Sequence, residues 1–131
     1  MKYETLAKKY QGKIIPDDGA YLSKGFKSFA TSFRAYMKEC AATAGWEIAK
    51  YNVGHYSVSG FLTKEDKHLY FSYSPGRHMP INFEIRNAMN GVLVRYAKNT
   101  SDYTGGMNTF CSVKTLESHI KSSEQWLRRV G

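Results

Sequence analysis

Acidic residues are scarce in this chain: 11 Asp and Glu stand against 19 Lys and Arg, a formal net charge of +8. That balance disfavours an acidic DNA mimic and favours a polyanionic partner: nucleic acid, an acidic protein surface or an anionic membrane. Cysteines number two, Cys40 and Cys111. They are too few for a metal framework, and both fall on apolar faces that predict reduced, buried thiols. No apolar run approaches the roughly 18 residues of a membrane-spanning helix. The polar start "MKYETLAKKYQGK" lacks the pattern of a secretory signal, so a cytoplasmic protein with no membrane partner is expected. The chain has no Gly-x-Ser-x-Gly, no Walker loop, no reactive-cysteine signature and no histidine pair at ligand spacing. No cluster of Asp or Glu offers a cation site, so no metal and no cofactor are expected. Internal repeats and low-complexity tracts are also missing.

What remains is a chain of 131 residues, 42% hydrophobic and 15% aromatic, with ten tyrosines. Such a chain predicts one globular domain over 1–131 that folds without staples. Residues 1–20 read as a short helix in "YETLAKKY" and then a connector. Tyr3, Leu6 and Tyr10 could dock on a body formed by 21–131, or the segment could be a basic arm. The clearest element is 23–44. Phe26, Phe29, Phe33, Met37, Cys40 and Ala44 recur three and four residues apart, which at 100° per residue makes one apolar stripe. Lys24, Lys27, Arg34 and Lys38 fall on the opposite side. Ser23 is placed to cap the start and Gly45 to end the helix.

After Gly45 the period changes from 3.6 to 2. Strands are predicted at 46–53, 55–63, 67–74, 81–87, 91–98 and 107–113, mostly with short connections. Tyr56, Val58 and Leu62 share one face of the second strand, and Leu69, Phe71 and Tyr73 one face of the third. Ile81, Phe83 and Ile85 alternate inward in the fourth. In "VRYAKNTSDYTGGMN" Val94 and Tyr96 point one way and Arg95 the other. A second helix is predicted over 114–129, with Leu116, Ile120 and Leu127 inward and Lys114, Lys121 and Arg128 roughly outward. The order gives an α+β class: a two-layer sandwich, with an antiparallel sheet of about five to six strands flanked by an N-terminal and a C-terminal helix.

Four constellations could carry function. The cations of the two helices, Lys24, Lys27, Arg34, Lys38, Lys121 and Arg128, could form a phosphate-attracting surface. The uncovered sheet face, with His55, Ser57, Ser59 and Phe61 beside His68, Tyr70 and Ser72, could stack unpaired bases. Arg77, at the tip of the Pro-Gly turn "SPGRHMP", could grip a phosphate or carboxylate bidentately, or pair with a neighbouring loop acid. Arg95 and Lys98 end a strand before the loop "NTSDYTGG", which is longer than a simple hairpin needs and displays Tyr103. Gly105 and Gly106 suit turn geometry, and Asp102 can bond back to nearby N–H groups.

The run "RYAKNTSDYTGGMN" resembles a pattern of small proteins from phages and mobile elements of Gram-positive bacteria, in which an arginine strand leads into Lys, a short spacer, DYTGG and Asn. The likeness spans about 67–113. It implies a mobile-element setting in a bacterial host, where compact basic proteins interfere with defence nucleases, as anti-CRISPR proteins do. No catalytic residue follows from it. The expectation is therefore a non-enzymatic basic protein that binds nucleic acid or a protein–nucleic-acid effector such as a Cas nuclease. One alternative is a small metal-independent ribonuclease using His55, His68, Tyr70 and Arg77. Another is a structural or oligomeric interaction protein whose charge is incidental.

Overall fold

The computed structural model describes residues 1–126. Its elements run α1 (Tyr3–Tyr10), α2 (Lys24–Ala42), β1 (Glu47–Gly54), β2 (Ser57–Lys64), β3 (Lys67–Tyr73), β4 (Val92–Ala97), β5 (Thr109–Cys111), α3 (Leu116–Lys121) and α4 (Ser123–Trp126). The five strands pair antiparallel in the order β1-β2-β3-β4-β5. Helix α2 packs on the sheet and against α1 and α3, which gives the α+β layering expected.

Helix α2 forms where the 3.6 periodicity is strongest. Ser23 accepts a hydrogen bond from Phe26 N–H at 3.1 Å, satisfying one of the amides that a helix start leaves unpaired. The chain leaves the last turn through Gly45 at φ 82°, a left-handed conformation that suits glycine. Phe26, Phe29, Phe33, Met37 and Cys40 are buried, joined by Tyr36 and Ala41. They meet the inner sheet face, where Val58, Leu62, Leu69, Phe71, Tyr73, Val92, Val94 and Tyr96 are buried. Both cysteines are free and buried, and burial pushes each thiol up to about 12. Among the described residues no helix is long and apolar enough to cross a membrane.

Residues 1–20 are tied down rather than loose. Leu6 and Ile15 are fully or nearly buried, and Tyr10 meets Phe29 edge-on at 5.2 Å. This connector also explains the main departure from expectation. Residues 81–87 form no strand, although Ile81 and Phe83 are buried as their alternation required. The segment bonds to the connector instead: Ile81 exchanges hydrogen bonds with Gly12 and Lys13, and Phe83 N–H donates to the Gln11 side chain at 2.7 Å. Alternation placed Ile81 and Phe83 correctly, but Ile85 is only half-buried, because no strand lies alongside to complete a ladder and hold the pattern. Nor is the C-terminal segment one helix. It breaks at Ser122 between α3 and α4, and Leu127 and Arg128 lie outside the described residues.

Strand β1 carries a bulge between Ile48 and Lys50. Strict alternation would put Ile48 and Lys50 on one face. The extra residue instead lets Ile48, Tyr51 and Val53 share the inner face while Lys50 turns outward, opposite Phe61. A second tight point is Gly60. A Cβ there would lie 2.2 Å from the Lys50 carbonyl oxygen and 2.8 Å from the Phe71 ring. Gly60→Ala is expected to cost about 2–3 kcal/mol through overpacking of β2 against β1 and β3, measured as a lowered urea midpoint with an unchanged m-value.

Candidate nucleic-acid interface

Two surfaces collect the candidate residues. The first is the outward ridge of α2. The apolar stripe of this helix faces the sheet, so Lys24, Lys27, Arg34 and Lys38 are all left exposed. Among the described residues none of the four has an ion-pair partner. The acids nearest in sequence are engaged elsewhere. Asp18 accepts from the Ala20 and Lys24 backbone amides at 3.1 and 3.2 Å. Asp17 accepts from Gly19 N–H and from Arg77. These backbone bonds hold both carboxyls below their usual range. Glu39, the single acid of α2, turns to the Met1 amine at 2.7 Å. From Lys24 to Lys38 the ridge extends for about 21 Å at the rise of an α-helix.

Between this ridge and β1 lies an open groove of about 390 Å³, lined by Leu22, Ala30, Thr31, Tyr51 and Val53 together with the cations Lys27 and Arg34. The Tyr51 hydroxyl donates to the Ala30 carbonyl at 2.7 Å, which fixes its ring. The Arg34 guanidinium lies 6.0 Å from that ring's centre. Leu22, Tyr51 and Val53 escaped sequence reasoning as a unit, because they approach one another only where α2 crosses the edge of the sheet.

The second surface is the outer sheet face. Register aligns Lys50, Phe61, Tyr70 and Arg95 in one cross-strand row. The face is not open as expected, because the long loop after β4 folds back over it. Tyr103 stacks on Tyr70 at 4.7 Å with 27° between the rings, and the Arg95 guanidinium sits 5.8 Å from the Tyr103 ring centre. Lys50 Nζ donates to Ser101 Oγ at 3.0 Å. Arg95 donates to the Gly106 carbonyl and, at 3.0 Å, to Asn108 Oδ1. Phe61 is only 6% exposed, so it offers no stacking surface.

The Gly-Gly pair divides the work in this loop. Gly105 adopts φ 103°. Gly106 packs so close that a Cβ would lie 2.7 Å from the Tyr96 carbonyl. Asp102 accepts from the amide and the hydroxyl of Thr104 at 2.9 and 2.6 Å, closing the turn on itself. Arg95 therefore holds the loop, Lys98 is exposed beside it, and Tyr103 anchors it to the sheet while remaining 52% exposed.

The remaining candidates lie apart. Arg77 pairs with Asp17 at 2.9 Å and covers the Tyr56 ring at 5.0 Å. Lys121 sits 3.9 Å from Glu117, and Lys114 pairs with Glu84 at 3.0 Å. The expected second helical stripe thus carries its own acids. The four residues of the ribonuclease alternative split into two pairs. His55 occupies the β1–β2 turn, edge-on to Tyr21 at 4.8 Å, and Arg77 lies against the neighbouring Tyr56. His68 and Tyr70 lie on the outer face of β3, with His68 opposite Thr63 at the far end of β2. About 20 Å of strand separates the two ends. Among the described residues no three His, Cys, Asp or Glu side chains are placed to hold a metal ion.

His119 was not singled out by sequence. Its Nε2 lies 3.0 Å from the Thr109 hydroxyl, which itself donates to the Val94 carbonyl at 2.7 Å. The hydroxyl has one proton, so Nε2 must carry the N–H in that contact. Burial lowers the His119 pKa from 6.5 to about 4. A depressed histidine contributes stability above its unfolded value and loses it as pH falls toward its folded one. Unfolding free energy is therefore expected to decline between pH 6.5 and about 4, and His119→Gln should flatten that slope in urea titrations across the window. Tyr103→Ala is expected to cost about 1 kcal/mol by removing the stack on Tyr70, read from the same unfolding curves.

No family model, no curated protein and no solved structure matches the chain, so function must be read from the charge and shape of its own surfaces.

Proposed function

We propose that this protein is a non-enzymatic nucleic-acid-binding module whose α2 ridge grips a phosphate backbone. One observation carries the reading. Lys24, Lys27, Arg34 and Lys38 share one exposed ridge of a single helix, and among the described residues none of the four has an ion-pair partner. Cations whose charge is not offset locally release bound counterions most effectively on meeting phosphates. In the setting implied by the "DYTGG" likeness, the nucleic acid would belong to a phage or mobile element's target, free or held in an effector such as a Cas nuclease. The paired cations, Arg77 included, stabilise loops and contribute little to binding in this reading.

Salt dependence tests it. Four phosphate contacts give a slope of log affinity against log salt of roughly −3 to −4. Lys27→Glu, Arg34→Glu and Lys38→Glu together should make the slope shallower by roughly 2–3 and weaken binding to labelled DNA or RNA. Unfolding stability should move by no more than about 0.5 kcal/mol, since all three are surface positions. Unchanged affinity in the triple variant would refute the assignment.

A further inference from the structure

The α2 ridge borders the groove formed by Leu22, Ala30, Tyr51 and Val53, and a duplex backbone has nothing to put there. Paired bases are stacked inside a duplex and offer their faces to no one. An unpaired strand carries apolar faces within reach of its own phosphates. We infer that the protein's ligand is single-stranded, with its phosphates on the α2 cations and a base turned into this groove. The inference rests on the phosphate-binding reading of α2 and adds the class of nucleic acid.

Three features support this occupant. Lys27 and Arg34 are themselves part of the groove's lining, so a backbone held on the ridge runs alongside the groove. Its volume of about 390 Å³ falls in the range of sites that take small planar ligands. The floor includes a ring fixed by the Tyr51–Ala30 hydrogen bond and flanked by a guanidinium, the two kinds of plane on which bases stack. Two further features suit a base better than a hydrocarbon. Strand β1 ends the sheet, so its outward backbone N–H and C=O groups are available to base edges. Tyr21, 72% exposed, precedes Leu22 in the chain and lies edge-on to His55 at 4.8 Å, a second aromatic surface outside the groove's own lining. The cations all have one sign, which makes the groove complementary to an anionic strand and not to a neutral one.

The test changes the ligand and leaves the protein intact. Affinities of the full chain are compared at low salt for a thymidine oligonucleotide, an abasic strand with the same number of phosphates, the matching duplex and polyglutamate. The thymidine strand should bind roughly tenfold or more tightly than the abasic strand. Val53→Lys then serves as a second arm. An added cation in a groove that meets only phosphate would raise affinity for both strands alike. In a groove that holds a base it should narrow the gap between them. Equal binding of the thymidine and abasic strands overturns the inference while leaving the phosphate-binding reading in place. Binding of polyglutamate as tightly as the thymidine strand assigns the groove to an acidic peptide and also overturns it. Failure of every nucleic acid to bind removes the underlying reading itself.

Discussion

The fold depends on one ring, that of Phe29. It lies 5.2 Å from Tyr10, 5.8 Å from Phe26, 5.9 Å from Phe33, 6.2 Å from Tyr73 and 6.4 Å from Phe83. Those partners come from α1, α2, β3 and the irregular segment around Phe83. A single buried side chain therefore ties together four pieces that are remote in sequence. Aromatic contacts of this kind add to the hydrophobic gain of burial. The docking of the N-terminal connector and the inward turn of 81–83 follow from the need to close this cluster against water.

Pinning the apolar stripe of α2 to the sheet leaves the rotation of the helix no freedom. The four cations must then face solvent, and the nearby acids Asp18 and Glu39 are engaged by backbone amides and by the Met1 amine instead. Several cations elsewhere are engaged by structure. Arg95 and Lys50 secure the loop that carries Tyr103, and Arg77 joins its turn to the connector through Asp17. Position in the core thus decides which cations are available to a ligand. Net charge alone gives them equal standing.

The loop after β4 shows the same principle. Its length suggested a displayed anchor, yet the stack of Tyr103 on Tyr70 closes it over the outer sheet face. Phe61 and Tyr70 lie beneath a strap instead of forming an open platform. On the other side of the sheet, where β1 ends it, an open groove remains between β1 and α2.

Much of this was legible in the sequence. The 3.6 spacing of α2, the period of two in β2, β3 and β4, the Ser23 cap and the Gly45 stop are local properties, set by backbone geometry and the need to bury one face. Asp102 and Gly105 were readable for the same reason. The tertiary structure decided what local patterns cannot. Residues 81–87 alternate like a strand but bond to the connector, because a ladder requires a neighbour as well as a pattern. Ala49 marks no visible break in the sequence, yet the bulge there reverses Lys50. The choice between paired and unpaired cations, and the meeting of Leu22, Tyr51 and Val53 in one groove, depend on contacts between distant segments. Periodicity fixes which way a side chain points only while the element stays regular, and packing fixes both the breaks and what each side chain meets.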